Sequence, residues 1–301
     1  MSEHGVAVLG PGGIGGMLAV RTGALCIGTA RTVAAIRERG LTLVHGRTTT
    51  VGHPEAVERL ERRVDLLVVT VKAYDLDEAL DRLAPEALDG AMILPLLNGL
   101  EHVGRIRAWN GLSQAPSATV VAGSIGGVEA FSPEPGRVVQ KPPGARIVAA
   151  SDELDAHSLA RALEPLRVPG IELRIENGER AVLWEKAVRL AVVAAASIAS
   201  GRSVGDLRGG AVWRDRMRRA LVEAVEAAVA DGVHVTASDQ WAIIESLPPD
   251  LMPSAARDAL AGRPTELDAI TGSVVRAGAR LGVPMPVLDE LLAEARQAIA
   301  A

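Results

Sequence analysis

The sequence is poor in cysteine and in aromatic residues. Cys26 is the only cysteine among 301 residues, and aromatic side chains make up 2% of the chain. A single cysteine excludes an internal disulfide and a zinc cluster built on cysteine, and the six histidines show no two-histidine spacing beside a carboxylate. We therefore predict no structural metal.

Positive charge is also in short supply. The 32 lysines and arginines are outnumbered by 37 acidic residues, which gives a formal net charge of −5. Nucleic-acid binding needs basic surface to neutralise phosphates and aromatic platforms on which bases stack. We expect no nucleic-acid partner.

No apolar run is long enough to cross a membrane. The longest, "LAVVAAASIAS" at 190–200, is roughly half the length of a spanning helix, and we predict a buried helix there. In the N-terminal stretch "MSEHGVAVLG", Glu3 stands where an export signal carries positive charge, and no small-residue cleavage site follows. We expect a cytoplasmic protein with no membrane partner.

Apolar residues are plentiful, at 48% of the chain, which is enough for two domains of ordinary size. The first half alternates short β-branched runs with helical patterns, an arrangement that predicts βαβ units. From about Glu179 the strand signals stop and only helical patterns follow. The polar stretch "RIENGER" lies at this change, so we predict one domain over 1–177 and an all-helical one over 178–301.

Individual elements follow from the same patterns. Strands are predicted at "VAVL", "LTLV", "DLLVVTV", "AMILPLL", "ATVVAG", "RVVQ", "ARIVAA" and "IELRI". A helix is predicted over "DLDEALDRLAPEAL" (75–88), and others over 180–200, 215–230, 238–245, 265–281 and 286–300.

A glycine-rich run, "GVAVLGPGGIGG", opens the chain. Gly10, Gly12 and Gly15 form the pattern G-x-G-x-x-G between a predicted strand and a predicted helix. Backbone N–H groups around Gly13 and Ile14 would then face a pyrophosphate at the helix N-terminus. The run predicts a dinucleotide site, and the alternative is a glycine-rich turn without a ligand.

The residues after the second strand of such a site select the dinucleotide. An acidic side chain about 20 positions on would hold the ribose of NAD, but no Asp or Glu occurs between Glu3 and Glu38. Arg31 and Thr32 stand there instead, in "CIGTARTVAAI", and suit a 2′-phosphate. NADP is favoured, with a solvated loop arginine as the alternative for Arg31.

Several motifs in this order resemble the ketopantoate reductases (2-dehydropantoate 2-reductases). The resemblance covers nearly the whole chain and rests on "VLGPGGIGG", "ARTVAAIRERGLTL", "VVTVKAYDL", "LLNGLE", "LWEKAVRL" and "PSAARDALAGRPTELDAITGSVVRAGARLGVPMPV". It implies an α/β Rossmann-type NADPH-binding domain followed by an all-α domain resembling the C-terminal domain of 6-phosphogluconate dehydrogenase. It also implies a keto acid bound in the cleft between them and reduction of ketopantoate to pantoate, a step toward pantothenate and coenzyme A.

Lys186 is the candidate catalytic proton donor. Hydride delivery to a ketone leaves charge on oxygen, so a donor must stand beside the carbonyl. Positions i−4, i+4 and i+7 from Lys186 are Val182, Leu190 and Val193, so the lysine interrupts an apolar helical face, where desolvation would lower its pKa. The alternative is a lysine whose amine reaches solvent from the helix start.

The resemblance assigns two further residues near the C-terminus. Glu266 matches the catalytic glutamate that orients the substrate hydroxyl and tunes the lysine, and Thr265 and Asp268 around it have capping-box spacing. Ser254 matches the serine that binds the substrate carboxylate. After Pro253, however, it can equally be a helix N-cap.

Lys72 and Asn98 each follow an apolar strand, where α/β sheets place ligand contacts. With the family order, Lys72 becomes a cofactor-side residue and Asn98 a contact of the nicotinamide and the substrate. Their alternatives are a solvent lysine and a turn asparagine, because Asn-Gly is itself a turn signal.

Two departures from the family pattern stand out. The family's lysine helix usually carries an asparagine four residues after the lysine, and this sequence has Leu190 in the substrate-binding position. Arg189 points about 100° away around the helix and is an uncertain replacement. The segment between Gly16 and Arg31 is also short, which affects the adenine end of the cofactor site.

Two function classes remain open at this point. One is an NADPH-dependent reductase of a 2-keto acid, either ketopantoate or a more apolar relative. The other is a non-catalytic NADP-binding sensor, against which the retention of both Lys186 and Glu266 argues. A homodimer through the helical domain is a further expectation.

Overall fold

The structure is a computed structural model and describes residues 5–112, 118–142 and 144–300. Contacts divide the chain into two units. The first comprises the residues up to Leu97 and from His102 to Val182, and the second comprises Asn98–Glu101 and the residues from Leu183 onward. The domain boundary predicted at 177–178 stays a prediction.

The first unit mixes strands and helices. Its strands are β1 (Val6–Leu9), β2 (Leu25–Ile27), β3 (Leu41–His45), β4 (Thr48–Gly52), β5 (Ala56–Val57), β6 (Leu66–Val69), β7 (Met92–Pro95), β8 (Thr119–Val120), β9 (Ala122–Gly126), β10 (Glu129–Glu134), β11 (Arg137–Lys141), β12 (Ala145–Ala150) and β13 (Ile171–Ile175). Its helices are α1 (Gly13–Thr22), α2 (Ala30–Arg39), α3 (Leu76–Leu80), α4 (His102–Leu112) and α5 (Ala156–Ala162), with 3₁₀ turns at Ala73–Asp75, Pro85–Leu88 and Glu164–Leu166.

Six parallel strands form the central sheet of this unit, in the order β5-β2-β1-β6-β7-β8. Counted along the chain, these strands lie in the order 3-2-1-4-5-6, which is the order of the Rossmann fold. Every residue of β6 and β7 is buried, as expected for strands covered on both faces, and such strands read as continuous apolar runs in the sequence. The predicted α/β Rossmann-type fold is confirmed.

The remaining strands of the first unit form two smaller sheets. One has the order β10-β11-β3-β4 and the other the order β13-β12-β9. All eight predicted strands are found within the three sheets. Four strands were not predicted: β2 and β5 are very short, the exposed β4 is rich in threonine, and β10 carries two glutamates and a proline.

The long helix predicted over 75–88 is wrong beyond Leu80. α3 ends there, and the next residues form a parallel bridge between Leu83 and Leu60. Leu60 donates its N–H to the carbonyl of Arg82 at 2.8 Å and accepts the N–H of Ala84 at 2.9 Å. Backbone pairing with a distant residue therefore replaces the helix that the local apolar spacing suggested.

The second unit contains helices only, among its described residues. They are α6 (Glu179–Ser200), whose first turn belongs to the first unit, α7 (Val204–Gly209), α8 (Ala211–Ala230), α9 (Ala237–Ser246), α10 (Ser254–Leu260), a π-helix (Asp268–Gly272), α11 (Ser273–Leu281) and α12 (Pro286–Ala300). The all-helical prediction is confirmed, and of these helices only the short α7 and α10 were not predicted.

Helix α6 runs through the core of the second unit. Ala191 to Ile198 are all buried, which confirms the buried helix predicted over 190–200. Alanine dominates this stretch, so neighbouring backbones can approach closely. No helix in the described part of the chain combines the length and the apolar character that crossing a membrane requires.

Candidate active site

The glycine loop connects β1 to α1 by a path that only glycine permits. Gly10 has φ +87°, and a Cβ there would meet the side chain and backbone of Val71. The N–H of Gly10 donates to the carbonyl of Ile27 at 2.9 Å, and the N–H of Gly12 donates to the carbonyl of Gly10 at 2.7 Å. The loop is therefore tied to the end of β2.

Two further glycines allow close packing around the start of α1. A Cβ on Gly15 would collide with the carbonyl oxygen of Gly10 and with Thr70 Oγ1, and one on Gly13 would collide with the Ala130 carbonyl in β10. Sequence reasoning missed this contact, because β10 begins only at Glu129 and leaves no signal near the motif.

The loop meets the requirements of an anion site. A Cβ built on Gly12 would have no atom within 4 Å, so space is open there. The first backbone hydrogen bond of α1 is donated by Gly16 to Gly12, which leaves the N–H groups of Gly13, Ile14 and Gly15 directed out of the helix start. No acidic residue occupies the first turn. The positive end of the helix dipole therefore faces the open space.

Arg31 lies in the first turn of α2, just after β2 and the Gly28 that follows it. The short segment before it still forms a helix and a three-residue strand, because Gly23 ends α1 in a left-handed conformation. The exposed Arg31 side chain makes no hydrogen bond or ion pair with the described residues. Its guanidinium is available to an anion near the end of β2.

Lys72 and Asn98 each lie a few residues beyond a central strand. Lys72 is partly buried and immediately follows Val71, the residue that packs on Gly10, so its backbone adjoins the glycine loop. Asn98 follows β7 and groups with the second unit.

Lys186 lies on α6, and its pKa is lowered well below the usual lysine value. Desolvation lowers its pKa to about 8, and the positive charge of Arg189 acts in the same direction. Glu266 opposes both by favouring the charged ammonium. Glu266 is buried, with 4% of its surface exposed. The second unit therefore places the Lys186 amine, with its lowered pKa, within electrostatic range of the buried Glu266 carboxylate.

The segment that carries Glu266 does not have the predicted capping box. Thr265 Oγ1 donates to the carbonyl of Ala255 at 3.0 Å and does not cap a helix, and the Asp268 carboxylate accepts from Arg276 and Arg296. Regular α-helix begins only at Ser273, after the π-helix. The tertiary partners of Thr265 and Asp268 outcompete the local cap, so the helix predicted from residue 265 starts later.

Thr271 fixes the π-helix against α6. Its fully buried hydroxyl donates to the carbonyl of Ala191 at 2.9 Å, five residues after Lys186. A π-turn widens a helix by one residue and often occurs at functional sites. Sequence reasoning missed both features, since the 3.6-residue pattern carries no sign of a single inserted residue.

Leu190, which departs from the family pattern, lies one turn after Lys186. Its side chain is partly exposed. Its neighbour Arg189 is already engaged. The Arg189 guanidinium donates to Oε1 of the buried Gln240 in α9 at 2.9 Å and also to the carbonyl of Glu185. This anchoring turns Arg189 toward α9, so the α6 surface at position 190 is apolar.

Ser254 is the first residue of α10, and Pro253 precedes it in the N-cap position. The alternative prediction that Ser254 caps the helix is therefore wrong. Its side chain is exposed and makes no hydrogen bond with the described residues. The hydroxyl is available to a ligand.

Comparisons with known proteins cover both units. The sequence model of the family described as ketopantoate reductase PanE/ApbA matches residues 6–153, and that of its C-terminal part matches residues 180–298. The chain is 27% identical to a 2-dehydropantoate 2-reductase of Halobacterium salinarum, over 95% of this chain and 96% of that protein.

Solved structures agree in fold. A PanE/ApbA family ketopantoate reductase from Ralstonia eutropha JMP134 superposes with a TM-score of 0.83 at 26% identity, covering 98% of each chain. The ternary structure of a D-mandelate dehydrogenase with NADH and anilino(oxo)acetate has a TM-score of 0.86 at 21% identity, again over 98% of each chain.

Fold, site and comparisons together define an oxidoreductase that acts on CH–OH or keto groups and uses a nicotinamide dinucleotide. The non-catalytic alternative is thereby set aside. The chain belongs to the ketopantoate reductase PanE/ApbA family, and it is a keto-acid reductase.

Two alanine substitutions should separate packing from binding in the glycine loop. Gly15→Ala forces a methyl group against backbone, and we expect it to lower the free energy of unfolding by about 1–3 kcal/mol. Gly12→Ala enters open space and should leave stability within about 1 kcal/mol of the native value, yet weaken dinucleotide binding by about 10-fold or more. Denaturant unfolding and fluorescence titration with NADPH measure the two effects. Native-like NADPH binding by Gly12→Ala would place the pyrophosphate elsewhere.

Proposed function

We propose that this protein reduces a 2-keto acid to the 2-hydroxy acid with NADPH. The observation that carries the proposal is the desolvated amine of Lys186, with a pKa near 8 and the buried carboxylate of Glu266 within electrostatic range. The family membership and the 2-dehydropantoate 2-reductase named among the relatives support the same chemistry.

The first unit would hold the dinucleotide through its glycine loop. The N–H groups of Gly13, Ile14 and Gly15 and the space beside Gly12 suit the pyrophosphate, and Arg31 suits a 2′-phosphate. Lys72 and Asn98 remain proposed contacts of the cofactor. When bound, the reduced nicotinamide supplies a hydride.

Lys186 would protonate the oxygen of the keto group. An ammonium with a pKa near 8 is largely charged at pH 7, yet it gives up its proton more readily than an ordinary lysine. We assign Glu266 to hold the ammonium in place and to accept from the substrate hydroxyl. Asn98 and Ser254 are the proposed polar contacts for the rest of the keto acid.

The name of the relative makes 2-dehydropantoate the first candidate substrate. The apolar Leu190 favours a second candidate, a 2-keto acid with a less hydroxylated body. The anilino(oxo)acetate in the D-mandelate dehydrogenase structure also has an apolar body, a phenyl ring, beside its oxo and carboxylate groups. Cytoplasmic location and a homodimer stay predictions.

Arg31 should determine cofactor preference. A charge-assisted contact with the 2′-phosphate contributes about 1.5–3 kcal/mol, or roughly a 10- to 150-fold preference for NADPH over NADH. Arg31→Ala should weaken NADPH by that factor and leave NADH nearly unchanged in fluorescence titrations. Arg39→Ala, at the other end of α2, is the matched control and should change neither. Equal affinities of the native protein for the two dinucleotides would refute the assignment.

Lys186→Ala should abolish most of the turnover but should still bind the cofactor. We expect kcat for NADPH-dependent keto-acid reduction to fall by about 10²–10⁴, because general acid catalysis is lost, with little change in NADPH affinity. Lys141→Ala, an exposed lysine on β11, is the control and should turn over normally. Normal turnover by Lys186→Ala would remove Lys186 from the site.

The pH profile should report the same lysine. The proton donor is the charged form, so the reduction rate should fall as the pH rises through about 8, the pKa of Lys186. Oxidation of the hydroxy acid needs the neutral amine and should rise over the same range. A reduction rate that stays level to pH 10 would contradict this role.

Leu190 should decide between the two candidate substrates. An apolar side chain leaves a substrate group that expects a hydrogen bond unpaired, at a cost of about 1–3 kcal/mol. We expect kcat/KM for 2-dehydropantoate to be low in the native protein and to rise in Leu190→Asn relative to apolar 2-keto acids, with NADPH saturating. If the native protein is efficient with 2-dehydropantoate and Leu190→Asn changes nothing, then Leu190 lies outside the reach of the substrate.

A further inference from the structure

The residues that follow Asn98 are packed tightly against the π-helix. Gly99 has φ +93°, and a Cβ there would collide with the carbonyl of Ala269. The N–H of Leu100 donates to Ser273 Oγ at 3.3 Å, and that hydroxyl donates to the carbonyl of Ile270 at 3.1 Å. The segment 98–101 is therefore a part of the second unit although it follows a strand of the first.

An arginine joins this segment to the π-helix through two carboxylates. Arg276 donates from Nε and Nη2 to the two oxygens of Glu101, both at 2.8 Å. Its Nη1 donates to Asp268 Oδ2 at 3.0 Å, and Nη2 also reaches the Asp268 carbonyl at 3.3 Å. The hydrogen bonds from Arg276 lower the pKa of Glu101, so the pair stays charged at neutral pH.

The position of this pair is unusual for a surface ion pair. Most exposed pairs contribute little, but a bidentate arginine–carboxylate pair has fixed geometry as well as energy. Glu101 lies three residues after Asn98, and Asp268 lies two residues after Glu266. The single guanidinium of Arg276 therefore links the two segments that carry these proposed site residues, which are far apart in sequence.

We propose that Glu101 and Arg276 are positioning residues that hold Asn98 in register with Glu266. This inference rests on the proposed function of that site. Neither residue needs to contact the substrate. The pair restricts the 98–101 segment to one placement relative to the π-helix. The side chains of Asn98 and Glu266 are therefore presented to the substrate together.

The kinetic test compares two ion pairs of the same kind. Glu101→Gln keeps the shape, but it removes the charge and replaces one of the two acceptor oxygens with an NH2 donor, so the bidentate pair is lost. Glu294→Gln does the same to the pair of Arg216 and Glu294, which joins α8 to α12 with distances of 3.0 and 2.9 Å in the same unit. We expect Glu101→Gln to lower kcat/KM for the keto acid by about 10-fold, as misplacement of contact groups does, and Glu294→Gln to stay within about twofold.

A second arm tests whether Glu101 acts through Arg276. If it does, Arg276→Gln and the double variant with Glu101→Gln should show nearly the same kcat/KM, because the single change already breaks the pair. The proposal would be overturned if the losses of kcat/KM from the two single changes multiply in the double variant. A Glu101→Gln effect no larger than that of Glu294→Gln would also overturn it. NADPH affinity should stay within about twofold in Glu294→Gln, which leaves the 98–101 segment in place.

Amide hydrogen exchange decides the proposal without any turnover. In Glu101→Gln, peptides that cover 98–101 and 266–272 should exchange at least about 10-fold faster than in the native protein, and in Glu294→Gln they should not. If the native protein reduces no 2-keto acid but this exchange pattern is found, the proposed function fails and the positioning contact stands. Unchanged exchange in Glu101→Gln rejects the positioning role, whatever the activity.

Discussion

The close approach of backbone to backbone at the start of α1 is the constraint on which the cofactor unit depends. Gly15 lets the first turn touch the carbonyl of Gly10, and Gly13 lets it touch a peptide of β10. Any side chain at either position would push the helix away from the strand ends. The same closeness directs the N–H groups of α1 into open space beside Gly12 and ties the loop to β2, which leads to Arg31.

The helical unit solves a different physical problem, which is to desolvate an amine in part while a carboxylate compensates its charge. The alanine-rich core of α6 permits close packing, and the hydroxyl of Thr271 attaches the π-helix directly to the α6 backbone. Glu266 precedes that π-helix, so its carboxylate favours the Lys186 ammonium that desolvation disfavours. A pKa near 8 is the balance between the two effects.

Features that depend on local chemistry were predictable from the sequence. The buried strands β1, β6 and β7, the glycine loop and the long helices α6, α8 and α12 follow from residue type and spacing within a few positions, so they were found correctly. The β2 strand, the π-helix and the loss of the capping box at Thr265 depend on partners elsewhere, such as Ala255 and the arginines around Asp268. The link from Glu101 to Arg276 spans 175 residues and leaves no trace in either segment alone.

The departure at Leu190 on α6 and the ion pair around Arg276 bear on one question, which is what orients the keto acid. Position 190 offers no hydrogen bond, and Gln240 holds Arg189 toward α9. Under the proposed function, the polar contacts beyond Lys186 therefore come from Glu266, Ser254 and Asn98. Two of these three lie on segments joined by Arg276. Because α6 supplies fewer polar contacts to the keto acid, a fixed placement of Asn98 matters more for substrate orientation in this chain than it would with an asparagine at position 190.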